Sequence, residues 1–218
     1  MHITFVRHGQ STGNAGIPAT DLALMPLTAL GQQQAEDVAA SWQSGPSRVV
    51  SSPYVRARQT AEPTSQRFAI APVDVWPIHE FTYLEPSRWN GTSREERRPV
   101  VDAYWAKADP GYVDGPGAES FSDVLRRAED ALARLVALRS PDAAGKGTDV
   151  ALFSHGQFIQ AVRMTLMFPG ASDAQKMASF WPFDQRSPVR NGQKVELAWG
   201  HGGLKLVETG APADLDSA

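Results

Sequence analysis

Two histidines in this chain each stand where a short apolar run gives way to glycine, and each could handle a phosphoryl group. Near the N-terminus, Ile3, Phe5 and Val6 lead into Arg7-His8-Gly9; far downstream, Val150, Ala151, Leu152 and Phe153 lead into Ser154-His155-Gly156. Phosphoryl transfer needs a nucleophile and concentrated positive charge around the equatorial oxygens. A neutral imidazole can attack phosphorus, and the Arg7 guanidinium beside it can hold phosphate oxygens through its planar donor fork. A third cluster, Ser51-Ser52-Pro53-Tyr54-Val55-Arg56-Ala57-Arg58, sets arginine in the first turn of a helix predicted to start at a strand end. Such an N-terminus already favours anions through its free N–H groups and dipole. Arg56 and Arg58 lie about 200° apart around that helix, so one of them can face a site there; Arg58 is read as solvated surface charge. Taken singly, Arg7 and His8 read equally well as a surface arginine and a satisfied histidine, and a lone His155 reads better as a core histidine hydrogen-bonded at a strand end. The second strand-end His-Gly reverses that preference.

The elements that would position these residues follow from periodicity. Strands are predicted at residues 3–6, 48–51, 73–76, 149–153, 195–199 and 204–207. Between them, Thr28 reads as the N-cap of a helix to about residue 43, with Leu30, Ala35, Val38, Ala39 and Trp42 at helical spacing. Ser52-Pro53 is expected to cap and open the next helix, proline suiting the first helical position. Residues 81–117 break the pattern with prolines at 86, 99, 110 and 116; this stretch reads as an excursion over one end of the sheet, with a helix near 95–107. Residues 119–138 read as a long amphipathic helix burying Phe121, Val124, Leu125, Leu132, Leu135 and Val136, and 158–167 as the helix that follows the strand at 149–153. Residues 141–148 read as a flexible turn and those after Gly210 as a disordered tail. Alternating strands and helices predict a three-layer α/β/α sandwich with a mostly parallel central sheet. In such sheets ligands bind beyond the carboxyl ends of the strands, where His8 and His155 both fall. The expected organisation is a single domain over 1–210, with 81–117 as its lid-like excursion and 211–218 as the tail.

Composition narrows the partners. The 218 residues suffice for one sizeable core, and 42% hydrophobic with 21% charged residues is ordinary for a globular protein. A formal net charge of −3 offers no basic field for nucleic acid or an anionic membrane, so none is expected as a partner. With no cysteine, disulfides, thiolate metal sites and cysteine nucleophiles are excluded. The five histidines show no close-spaced pair on one helix face, so no metal site and no cofactor are expected. Met1 runs at once into an apolar strand without a signal-peptide pattern, and no run approaches membrane-spanning length; the expected location is cytoplasmic. Two decoys are set aside: Ala144-Gly145-Lys146-Gly147-Thr148 has Ser140 where a phosphate-binding loop needs its first glycine, and Ser154 has Leu152 where a nucleophile elbow needs one.

From Ile3 to about Val207 the chain resembles the histidine phosphatase (phosphoglycerate mutase-like) superfamily. The blocks that carry the resemblance come in order: Arg7-His8-Gly9-Gln10-Ser11 with Asn14, then Leu27-Thr28 with Gly31, Gln34 and Ala35. Ser52 with Arg56, Ala57 and Thr60 follows, then Gly117-Ala118-Glu119-Ser120, then Ser154-His155-Gly156. The resemblance implies a small phosphorylated substrate, no metal, and a phosphohistidine on His8 whose other ring nitrogen is held by a backbone carbonyl. It implies that Arg7, Arg56 and His155 surround the phosphoryl group as catalytic and phosphate-binding residues, with Asn14 adding a hydrogen bond. A carboxylic acid must protonate the leaving alkoxide. The sequence departs here from the commonest family pattern. Ile78-His79-Glu80 keeps the apolar-x-Glu form at the strand end and makes Glu80 the chosen acid. Glu85 has the spacing to Trp89 and Gly91 seen with shorter loops, and stays as the rival. Phe81, Tyr83 and Trp89 are candidate pocket residues.

A phosphomonoesterase is the favoured function. The first alternative is a phosphoglycerate mutase-type isomerase on the same site, disfavoured because Gln10 stands where mutases commonly have Glu and an Arg-His-Tyr-Gly segment is absent. The second is a non-catalytic phosphate-binding module. Related acid phosphatases with Arg-His-Gly-x-Arg are disfavoured because Ser11 replaces the second arginine.

Overall fold

The computed structural model describes residues 2–17, 21–139 and 149–207. The expected turn at 141–148, the decoy loop within it and the tail lie outside the described residues. The strands are β1 (Ile3–Arg7), β2 (Arg48–Ser51), β3 (Asp74–Val75), β4 (Val150–Ser154), β5 (Lys194–Gly200) and β6 (Gly203–Leu206). They form one sheet in the order β3-β2-β4-β1-β5-β6, parallel from β3 to β1 and antiparallel at β5 and β6. The helices are α1 (Ala29–Ala40), α2 (Val55–Arg67), α3 (Pro86–Trp89), α4 (Arg94–Lys107), α5 (Phe121–Ala137), α6 (Gly156–Met167) and α7 (Asp173–Arg186). The α/β class and the mostly parallel sheet are as expected. No helix among the described residues is long and apolar enough to cross a membrane.

Central strands β1 and β4 are buried along almost their whole length, which suits their near-continuous apolar runs. One cluster holds Phe5, Leu152, Phe158, Leu125 and Leu135; the other face carries Val6, Val49, Phe153, Val38 and Ala61. The caps are local. Thr28 accepts the Gly31 N–H at 3.1 Å, and Ser120 with Asp123 closes a capping box at the start of α5. A cap of this kind is worth about 1 kcal/mol.

Several local expectations are corrected. Pro53 does not open α2: the N-cap is Tyr54, whose N–H donates to Ser52 Oγ at 3.2 Å, so the serine makes a turn that delays the helix. Leu30 and Val136 are 53% and 51% exposed, since both lie off the buried stripes of their helices. Helix α7 was not anticipated. Its apolar residues Met177, Phe180, Trp181 and Phe183 are broken by Pro182, although Ser172 and Gln175 form a capping box visible as a sequence signature. This helix matters for the excursion: Trp105 of α4 stacks on Phe180 and Trp181, with centroids 5.4 and 5.1 Å away and planes 12° apart. Each such pair adds about 0.5–1.5 kcal/mol beyond its buried area. The excursion is thereby docked, with Phe81 and Tyr104 in the same aromatic cluster.

Candidate active site

The register of β1 against β4 decides the site. Arg7 pairs with Ser154, so the next residue of each strand is a histidine, and the His8 N–H donates to the Ser154 carbonyl at 3.0 Å. The two rings lie with centroids 5.0 Å apart and planes inclined at 64°. Both are buried. His8 Nδ1 lies 2.6 Å from the Gly9 carbonyl oxygen and so carries the proton. Its Nε2 then has the lone pair, and accepts from Arg56 Nε at 3.0 Å. The Gly9 N–H donates to Thr60 Oγ1 at 3.0 Å. Gly9 and Gly31 have to be glycine, since a Cβ on Gly9 would collide with the Gly31 carbonyl and one on Gly31 with that of Gln10.

The arginines converge on the same point. Arg56 is buried in α2's first turn while Arg58 is exposed, and Arg56 also donates to the Leu22 carbonyl at 2.5 Å. Arg7 donates to the Val189 carbonyl at 2.5 Å and leaves its Nε buried without a partner. Burial pushes the pKa of Arg56 down to about 10 and that of Arg7 in the same direction, with both still charged at neutral pH. His155 Nε2 meets Ser52 Oγ at 2.8 Å, and its Nδ1 is a second buried polar atom without a partner.

Glu80 and Glu85 are placed very differently. Glu80 follows the short β3 and aims its Oε1 at the start of α6, accepting from the N–H groups of Gln157 and Phe158 at 3.0 and 3.1 Å. Burial raises its pKa, opposed by Arg7, Arg56 and the backbone hydrogen bonds from Phe81 and Phe158. Glu85 sits on the excursion, accepting from Ser87 at 2.5 Å and paired with Arg88 at 3.2 Å. Asn14 is exposed, and its Oδ1 accepts from Ser11 Oγ and from Asn191 Nδ2, at 3.1 and 3.2 Å. Phe81, Tyr83 and Trp89 line a cleft of about 550 Å³ between the excursion and the loop after β1, where Asn14 and Leu22 also stand. Among the described residues no group of three His, Asp or Glu side chains is arranged to hold a metal ion.

Sequence reasoning missed Asn191, which donates to the His8 carbonyl at 2.8 Å and so ties it to Asn14. Nothing local marks it, because it arrives in the connection before β5. It also missed Tyr54, whose ring meets His155 at 5.1 Å, His79 at 5.6 Å and the Arg56 guanidinium at 4.9 Å.

Comparison with known proteins decides the family. Residues 3–209 match the family described as the histidine phosphatase superfamily, branch 1. The chain belongs to that superfamily. The probable phosphoglycerate mutase GpmB of Salmonella typhi is 29% identical over 175 residues, covering 77% of this chain and 75% of its own length. The PE-PGRS family protein PE_PGRS11 of Mycobacterium tuberculosis is 44% identical over 73 residues, 32% of this chain; the match spans only 12% of that protein. Among solved structures, the mycobacterial glucosyl-3-phosphoglycerate phosphatase complexed with VO3 superposes with a TM-score of 0.71. It is 24% identical, over 94% of this chain and 96% of its own, a likeness of fold.

The buried imidazoles bear on the stability of this superfamily member. Burial, then neighbouring arginines, holds His8 and His155 well below 6.5, and burial with Arg127 takes His79 to about 4. In the unfolded chain each returns to about 6.5, so below that pH the unfolded state binds more protons and stability is lost; above it the contribution is complete. Glu80, raised, acts in the opposite sense, so three groups oppose one. The melting temperature is expected to fall as pH drops from about 7.5 to about 5.5. An unchanged melting temperature over that interval would show that these rings are free to protonate in the fold.

Proposed function

We propose that this protein is a phosphomonoesterase that works through a phosphohistidine on His8. The observation that carries the reading is the His8 ring itself: neutral, oriented by the Gly9 carbonyl, with Nε2 facing Arg56 and lying beside His155. In the free site Arg56 Nε–H occupies the Nε2 lone pair; on substrate binding its donors would turn to the phosphoryl oxygens. His8 Nε2 then attacks phosphorus and the bond to the ester oxygen breaks. Arg7, Arg56 and the Nδ1–H of His155 stabilise the equatorial oxygens, and the Asn14 amide adds a further donor. Glu80, whose pKa burial raises above the usual carboxylate range, delivers its proton to the leaving oxygen. Water next attacks the phosphohistidine and gives a proton to the Glu80 carboxylate, while inorganic phosphate departs and His8 returns to its neutral form. A single-domain organisation and a cytoplasmic location go with this reading.

Hydrolysis is favoured over isomerisation by residue 10. Gln10, held by the Thr28 hydroxyl at 2.7 Å, stands where mutases commonly carry a carboxylate. Phosphate release measured across phosphorylated metabolites, with 3-phosphoglycerate isomerisation run alongside, separates the two. Release without isomerisation is the expected result, and isomerisation as the faster reaction would reverse it.

Two inhibitor experiments test the chemistry. Turnover is expected to survive EDTA, because two arginines supply the charge neutralisation that Mg²⁺ supplies in other phosphoryl transferases. Loss of turnover restored by Mg²⁺ or Zn²⁺ would rule out the metal-independent mechanism. Vanadate at millimolar concentration is expected to inhibit as a trigonal-bipyramidal mimic bound by His8 and the arginines, which the VO3 complex of the mycobacterial phosphatase supports. An unchanged rate would sink the covalent pathway.

A further inference from the structure

The backbone that carries Glu80 is gripped from outside the reacting groups. Arg127 of α5 makes a fork-to-fork pair with Glu119, Nε to Oε2 at 2.9 Å and Nη2 to Oε1 at 2.6 Å. Its remaining Nη1 donates to two main-chain carbonyls, Pro77 at 2.9 Å and His79 at 3.0 Å. Glu119 holds the other side: its Oε1 accepts the Thr82 N–H at 3.2 Å, and its own N–H donates to the Thr82 carbonyl at 2.9 Å. The pair thus fastens the chain on both flanks of Glu80, at 77 and 79 before it and at 82 after it. The same guanidinium lies over the Phe158 ring at 5.0 Å, and the Phe158 N–H donates to the Glu80 carboxylate. Backbone and carboxylate are therefore referred to one rigid frame, helices α5 and α6. Arg7 and Arg56 are the charges that bear most on Glu80, whereas Arg127 grips the main chain on which it is carried.

We propose that the Glu119–Arg127 ion pair is a positioning device for the Glu80 carboxyl, setting its distance and angle to the leaving-group oxygen. This rests on the reading of Glu80 as proton donor. Proton transfer is steep in geometry, and a displacement of about 1 Å can cost about a hundredfold in rate. A pair that merely tied α5 to a loop would alter stability without distinguishing one ester from another.

The experiment measures kcat/KM for nitrophenyl phosphate and for an unactivated alkyl phosphate with the full chain and its Arg127→Met, Glu80→Gln and double variants. Arg127→Met is expected to lower kcat/KM for the alkyl ester about tenfold or more and for the nitrophenyl ester no more than about twofold. Added to Glu80→Gln it should cost less than about twofold further, because two residues acting through one group are not additive. Equal loss on both esters, full additivity with Glu80→Gln, or no loss overturns the positioning role. Should Arg127→Met fail to fold, Glu119→Gln breaks the pair while keeping an acceptor for Thr82, and is held to the same comparison. Glu80→Gln without leaving-group dependence would overturn the acid assignment and the positioning role together. Leaving-group dependence in Glu80→Gln but not in Arg127→Met overturns the positioning role alone.

Discussion

His8→Ala is expected to abolish phosphate release, by at least about a thousandfold, and with it all acid-labile labelling of the protein by a radioactive phosphoester. The substitution removes the Nε2 lone pair but leaves Arg7, Arg56 and His155 on their own supports, Val189, Leu22 and Ser52. The phosphate pocket should therefore survive, and inorganic phosphate or vanadate should still raise the variant's melting temperature. The informative comparison is His155→Ala, because both rings are buried, neutral and 5.0 Å apart. His155→Ala should be slow yet still labelled. Label retained by His8→Ala and lost from His155→Ala would exchange the two roles. Equal turnover by His8→Ala and wild type would end the covalent mechanism altogether.

Glu80→Gln should separate the two halves of the reaction. The amide keeps the shape of the side chain and can still accept from the Gln157 and Phe158 N–H groups, but has no proton of suitable acidity to give. For alkyl phosphates, whose alkoxides need that proton, kcat/KM should fall by about a hundredfold or more. For nitrophenyl phosphate the loss should be much smaller, since an acidic phenol departs unaided. Dephosphorylation, which needs the carboxylate as base, should be slow with either ester, so labelled His8 should accumulate in the variant during turnover of nitrophenyl phosphate. Glu85→Gln is the matched control. Its carboxylate is engaged by Ser87 and Arg88 on the excursion, so it should show neither effect. The reverse pattern would move the acid to Glu85 and leave the phosphohistidine pathway standing.

Local chemistry made much of this protein readable from its residues. Apolar runs that stop at His-Gly mark β1 and β4 because a strand buried on both faces has to be apolar throughout, and a catalytic side chain has to stand where the strand ends. Helix geometry separated Arg56 from Arg58, since residues two apart point to opposite sides, and Thr28 and Ser120 announced their helices as caps do. What no local pattern contains is which strands lie side by side. The parallel register of Arg7 with Ser154, which alone brings His8 and His155 together, is formed by hydrogen bonds across more than half the chain. The same holds for Asn191 on the His8 carbonyl and for the Arg127 grip around Glu80. The preference for Glu80 over Glu85 followed from a resemblance; what distinguishes their surroundings is that one carboxylate meets the N-terminus of α6 and the other its own helix. Helix α7 stayed hidden because its apolar stripe is short and interrupted by Pro182, and its packing on Trp105 of the excursion is what makes it a helix worth burying. Residue types and their order thus determined the available chemistry, while the long-range pairing of strands and helices decided which groups meet.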